Sequence, residues 1–125
     1  MEQIQSFRDL IIWQKSMKFA KEVILIAENN TSGRKLFRLM EQIQSSSASI
    51  PLNIAEGFGR RSTKEYIHFL YIARGSLNET LSLLELFKSL DWIKANHIEN
   101  TVSLGTEISK MLISLIKKLS DTPKK

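Results

Sequence analysis

An all-α fold, four helices running up-down-up-down in one antiparallel bundle, is what this sequence predicts, and three observations predict it. Apolar residues recur at alternating steps of three and four along four separate stretches, the spacing that lines one face of a helix. Short clusters of turn formers separate the stretches, and short connections make consecutive helices antiparallel. No stretch of alternating apolar and polar residues competes with these patterns. At 125 residues the chain has the usual size of one domain, and its ends, 1–6 and 121–125, are expected to fray.

The first helix carries Leu10, Trp13, Met17, Ala20, Ile24 and Ala27 on one stripe and runs from about Phe7 to Asn29. Asn29 to Gly33 is a cluster of turn formers. Leu36, Leu39, Ile43, Ile50 and Ile54 restart the pattern in a second helix, from about Arg34 to Glu56. Pro51 falls inside it. A proline there deletes one backbone hydrogen bond, clashes with the Ser47 carbonyl and costs about 3 kcal/mol or more. A kink is therefore expected, not a break, with the hydroxyls of Ser45, Ser46, Ser47 and Ser49 at hand for the disturbed backbone. Gly57, Phe58 and Gly59 end the helix.

Ser62, followed three residues later by Glu65, is a capping box that opens the third helix. Tyr66, Leu70, Ala73, Leu77, Leu84 and Phe87 form its stripe, which stops near Leu90. Asp91 to Asn96 connects to a fourth helix marked by Ile98, Val102, Ile108, Leu112, Leu115 and Leu119, which frays before Pro123.

Two helices carry more apolar surface than one bundle obviously consumes. On a wheel, the first helix is apolar from Ile26 and Phe19 through Ile12, Val23 and Trp13 to Met17, about 180° where ~100° suffices. The third is similarly broad, from Ile72 and Leu83 round to Leu81. Self-association is the economical expectation.

The chain has no cysteine and two histidines, which removes thiol chemistry and leaves little for zinc. It lacks a signal-peptide pattern and any apolar run of about 18 residues, so a cytoplasmic protein without a membrane partner is expected. Glu65 and His68 have the spacing of a half di-iron motif, but a second copy and two further acids are missing. Glu56, Glu79 and Glu85 have no nucleophile or oxyanion pocket to work with. Gly57 and Gly59 lack the third glycine and the preceding strand of a nucleotide fingerprint. No catalytic residue, metal or cofactor is predicted.

The net charge is +5 and the topology decides where it concentrates. The start of helix one, the turn from Gly57 to Ser62 and the end of helix four share one end of the bundle. Arg8, Arg60, Arg61, Lys64, Lys117 and Lys118 gather there, with Lys124 and Lys125, against Glu2, Asp9, Glu56, Glu65 and Asp121. The opposite end, with Arg34, Lys35, Lys94, Glu28, Asp91 and Glu99, is balanced. Repeated around a cyclic oligomer, the basic end becomes a surface able to hold a phosphate backbone through salt-sensitive contacts. Without interleaved aromatic residues or an RNP-like motif, such binding would tolerate any sequence.

Several stretches together resemble the 23S ribosomal RNA intervening-sequence protein family. They are Phe7 to Leu10 with Trp13 and Gln14; Ser49 to Pro51; Asn53 to Gly57; Ser62, Glu65, Tyr66, Phe69 and Leu70; and Ala73 to Ser76 with Glu79. The resemblance covers nearly the whole chain. It implies a small bacterial four-helix bundle that forms homopentameric rings, has no established catalysis or cofactor, and is related to the accessory variability determinant of diversity-generating retroelements. Gln44 and Ser45 stand where such proteins commonly carry two arginines, and Leu52 where a small polar residue is usual, leaving Arg60, Arg61 and Arg74. Asn53, Glu56, Arg74 and Glu79 match the family pattern as structural or interface polar residues. Asn53 and Glu56, which follow the kink, are expected to pair with Arg74 or with the opened backbone of an adjacent helix.

The expectation is thus a non-enzymatic homo-oligomer whose basic end associates with RNA or DNA, RNA foremost, or with a nucleic-acid enzyme. The alternative is a protein-interaction scaffold that binds no nucleic acid.

Overall fold

Four helices form a square bundle in the computed structural model, which describes residues 3–29 and 36–121. They are α1 (Ile11–Asn29), α2 (Phe37–Phe58), α3 (Thr63–Ser89) and α4 (Ala95–Ser120). Each packs on its neighbours in sequence, α4 returns to α1, and the diagonal pairs stay apart. No strand occurs among the described residues. The core runs the length of the bundle: Phe19, Val23, Ile43, Ile50, Ile54, Leu70, Leu77, Leu84, Phe87, Ile108 and Leu112 are all essentially inaccessible.

The first helix starts later than its apolar pattern suggests. Ser6 and Asp9 close a capping box around a single 3-10 turn, Phe7–Asp9, and Leu10 is extended (φ −75°, ψ 122°) before α1 begins at Ile11. The Asp9 carboxylate accepts from the Gln5 and Ser6 N–H groups at 2.9 and 3.1 Å. These bonds hold its pKa below the ordinary carboxylate value, Gln5 contributing more than Ser6. The buried face of α1 is also rotated from the expected stripe. Ile12, Ser16, Phe19, Ala20, Val23 and Ala27 are buried, whereas Trp13 and Ile24 are half-buried and Met17 is 46% exposed. Most of the surplus apolar arc of α1 is consumed by the bundle itself.

Phe19 sets that rotation by lying against Gly105 of α4. A Cβ at Gly105 would come within 2.8 Å of the Phe19 ring and 2.9 Å of Leu81 Cδ2. A residue without a side chain lets α1 and α4 close around a phenyl ring that is fully buried.

α2 is unbroken through Pro51 and continues past Glu56 to Phe58. Its expected start at Arg34 and the cluster Asn30 to Gly33 lie outside the described residues, as do Lys35 and residues 122–125. Gly57 belongs to the helix and is buried, with Phe69 Cβ and Tyr66 of α3 directly over its Cα. The cap at Gly59 has an ordinary φ of −81°. Ser62 Oγ accepts from the Glu65 N–H at 3.1 Å, the half of the capping box that forms.

α3 ends in a Schellman-type turn. The Trp92 N–H donates to Phe87 O at 2.9 Å and the Asp91 N–H to Lys88 O at 3.0 Å. Asp91 takes the left-handed conformation (φ 59°), which aspartate adopts more readily than most residues. The Phe87 and Trp92 rings, 5.1 Å apart, supply the apolar contact that accompanies the motif. The connection is accordingly shorter than expected, and α4 begins at Ala95, taking in Asn96 and His97.

Candidate nucleic-acid interface and a polar seam

The bundle brings the first turn, the α2–α3 connection and the end of α4 to one end, and two guanidiniums there rest on aromatic rings. Arg8 lies 4.6 Å from the Phe7 ring centre and Arg60 4.8 Å from that of Phe69. Stacking on a ring face orients the planar group and leaves its N–H edges open to an acceptor. Arg60 also meets Glu56 at 3.2 Å, an exposed pair that adds little to stability. Arg61, Lys64 and Lys117 are exposed and have no ion pair among the described residues. The one acid of the first turn, Asp9, already caps backbone N–H groups.

Beside this end, an open groove of about 680 Å³ runs between the start of α1 and the second half of α4. Leu10, Ile11, Met111 and Leu115 line it, with Lys110 and Lys118 at its border.

The second polar group lies along the α2–α3 contact. Asn53 Nδ2 donates to Ser49 O and to Ser49 Oγ, both at 2.8 Å. Ser49 Oγ and Ser76 Oγ are 2.9 Å apart. Thr80 Oγ1 donates to Ser76 O at 2.8 Å and lies 2.8 Å from Ser46 Oγ. Ser46 Oγ also lies 3.3 Å from Ile43 O, and each hydroxyl has one proton, so the two hydroxyls share two protons among the Ser76 carbonyl, the Ile43 carbonyl and each other. Further along, Gln42 Nε2 donates to Glu79 Oε2 at 3.0 Å. The Ser49–Ser76, Ser46–Thr80 and Gln42–Glu79 contacts tie α2 to α3 in one register.

The expected partners of Arg74 are different ones. Asn53 bonds within its own helix, to Ser49, and Glu56 pairs with Arg60. Arg74 makes no hydrogen bond or ion pair among the described residues. Helical spacing explains this. Arg74 lies seven residues before Leu81, which packs on Gly105 of α4, so it flanks the α4 side of α3, away from α2. Thr80 and Gln42 were not among the sequence candidates. The signal for Thr80 is a hydroxyl residue four positions after Ser76 inside an otherwise apolar stripe.

Comparison with known proteins agrees with this architecture. A family model described as 23S rRNA-intervening sequence protein matches residues 8–114. A protein of unknown function from the S23 ribosomal protein family of Bacteroides thetaiotaomicron VPI-5482, solved at 1.70 Å, superposes with a TM-score of 0.80 at 34% identity. The match covers 86% of this chain and 99% of that one. No curated protein matches the chain.

Proposed function

Since the chain belongs to the 23S rRNA-intervening sequence protein family, we propose that it is a non-enzymatic homo-oligomer, a pentameric ring by that resemblance, that holds RNA against its basic end. One observation carries the reading: Arg61, Lys64 and Lys117, exposed and without ion pairs, share an end with the ring-stacked guanidiniums of Arg8 and Arg60. Unpaired cations need not break an internal contact to engage a phosphate, so their full charge is available for releasing counterions. Two pre-oriented guanidiniums lose less freedom on binding than free ones. A single subunit presents a weak field, and a ring multiplies it.

Anisotropy titrations with structured RNA, single-stranded RNA and duplex DNA from about 50 to 200 mM salt test this, with particle mass followed by light scattering. Binding should weaken steeply with salt. Reversing Arg61, Lys64 and Lys117 to glutamate should flatten the dependence by about 0.7–0.9 in log–log slope for each phosphate that is no longer neutralised. An intact oligomer that ignores all three nucleic acids at the lowest salt refutes the RNA reading and leaves a protein-interaction scaffold.

A further inference from the structure

The aromatic rings of the bundle are accounted for internally, with two exceptions. Phe19 and Phe87 are buried. Phe7 pairs with Trp13, Phe58 with Tyr66, Phe87 with Trp92 and His68 with Phe69. Phe37 and Tyr71 stand 74% and 53% exposed and make no ring contact among the described residues. Phe37 opens α2, at the end away from the basic residues. Tyr71 lies in α3 seven residues after Lys64 and three before Arg74, spacings that put all three on one flank of the helix. That flank is the α4 side, where Arg74 has no hydrogen bond or ion pair among the described residues. Lys64 is exposed and equally unpaired. A phenol ring without an internal partner thus stands between two cations without internal partners. The surface beyond it is flat, because a Cβ at Gly75, four residues on, would have nothing within 4 Å.

We propose that this flank of α3 binds the unpaired bases of a single RNA strand, Tyr71 stacking on a base while Lys64 and Arg74 hold phosphates to either side of it. The inference rests on the RNA reading above and names the part of the RNA that is recognised. Lys64 and Tyr71 are about 10 Å apart along the helix axis and Tyr71 and Arg74 about 4.5 Å, so a strand running along α3 from the basic end brings phosphate and base to them together. Stacking on an aromatic face accepts any base, since every base has a π-face, and a duplex keeps its bases from reaching the ring. His68, exposed one turn before Tyr71, adds a second ring on the outer side. Its imidazole is held edge-on to Phe69, with centres 5.5 Å apart, and the same Phe69 ring carries Arg60 at 4.8 Å. The acids of this part of α3 fall on the opposite flank. Glu79 accepts from Gln42 of α2, and the spacing puts Glu65 on that side as well. Alternation of cation and aromatic exists here only on the folded helix. In linear order Lys64 precedes Tyr66 and Phe69, whose rings are taken by Phe58 and by Arg60 and His68.

Anisotropy titrations with two labelled RNA strands of equal length, an oligouridylate and a strand abasic throughout, test it, with light scattering for particle mass and circular dichroism for folding. The strands carry the same phosphates, so the difference between them reports the bases alone. The wild type should bind the oligouridylate at least about fivefold more tightly than the abasic strand. Tyr71→Ala should lose that preference while its affinity for the abasic strand and its salt dependence stay unchanged, and Tyr71→Phe should keep the preference. Alanine is the better helix former and the ring has no internal partner to lose, so the loss is not misfolding. Arg74→Gln should weaken binding of both strands alike and flatten the salt dependence. A protein that binds neither strand overturns the RNA reading and this inference with it. Equal affinity of the wild type for the two strands, or a preference that survives Tyr71→Ala, overturns the stacking and leaves the basic end standing. Unchanged binding by Arg74→Gln overturns its place on the strand. A change of particle mass in Tyr71→Ala overturns the inference too, assigning the ring to a contact between copies.

Discussion

Replacing Gly57 by alanine is the most direct test of how the α2–α3 corner is built. The added Cβ would lie 2.8 Å from Phe69 Cβ, 3.0 Å from Tyr66 Cδ1 and 3.2 Å from Tyr66 O. Two of these three atoms are fixed by the α3 backbone, so no rotamer change relieves the contact and the end of α2 must move away. Overpacking of this kind costs about 1–3 kcal/mol. Alanine returns at most about 1 kcal/mol in helix propensity, and less in a final turn. The net expectation is a loss of about 1–2 kcal/mol, from which a chain of this size should melt roughly 3–10 °C lower. The assay is thermal and urea unfolding followed by far-UV circular dichroism at one protein concentration, since the self-association proposed above would make the midpoint concentration-dependent. The urea midpoint should fall with its slope unchanged. An unchanged or raised melting temperature would refute the reasoning, showing that the corner has slack. The same displacement moves Arg60 relative to the Phe69 ring, so nucleic-acid affinity should fall as well.

Two further expectations come from buried polar groups. Ser16 Oγ is inaccessible and has no hydrogen-bond partner among the described residues. An unpartnered hydroxyl costs about 1–3 kcal/mol, so Ser16→Ala should raise the unfolding free energy by about 1 kcal/mol; a comparable loss would show that the hydroxyl is satisfied. Burial pushes the Tyr66 phenol above its ordinary pKa of 10.0. The folded state therefore keeps a proton that the unfolded state releases. Tyr66 costs nothing below that pH, and stability falls as pH rises from there toward the folded value. Tyr66→Phe should remove part of the alkaline loss seen in urea midpoints, and an identical alkaline slope in the variant would contradict it.

Helix number, order and direction could be read directly because they depend on periodicity and turn composition, which are local. The rotation of α1 could not. Its apolar arc contains two overlapping stripes, and the choice is made by Phe19 finding Gly105, residues far apart in sequence. The start of α1 was missed for a local reason, since a capping box at Ser6 and Asp9 closes a 3-10 turn inside what reads as one apolar repeat. The corner at Asp91 shows the opposite case: a Schellman turn without glycine is hard to recognise until the Trp92-to-Phe87 bond is seen. Of the candidate site, the convergence of basic residues followed from topology alone. Which of them are ring-stacked, paired or unpaired depends on side-chain geometry that charge counting does not contain, as does the separation of Arg74 from Asn53.

Several choices are locally unfavourable. Pro51, buried, interrupts the α2 hydrogen-bond ladder, Gly75 weakens the middle of α3, and Leu52 stands 66% exposed. Elsewhere the chain offsets its local costs internally, as at Gly105, where the absent side chain makes room for Phe19, and at Asp91, where a left-handed residue closes a bonded turn. Foldable sequences are consistent across levels except where something other than the fold requires a departure. Within the chain a Cβ at Gly75 would meet nothing and Leu52 stands exposed. On the reading proposed above, substitutions at Arg61 and Lys64 should change nucleic-acid binding without changing particle mass.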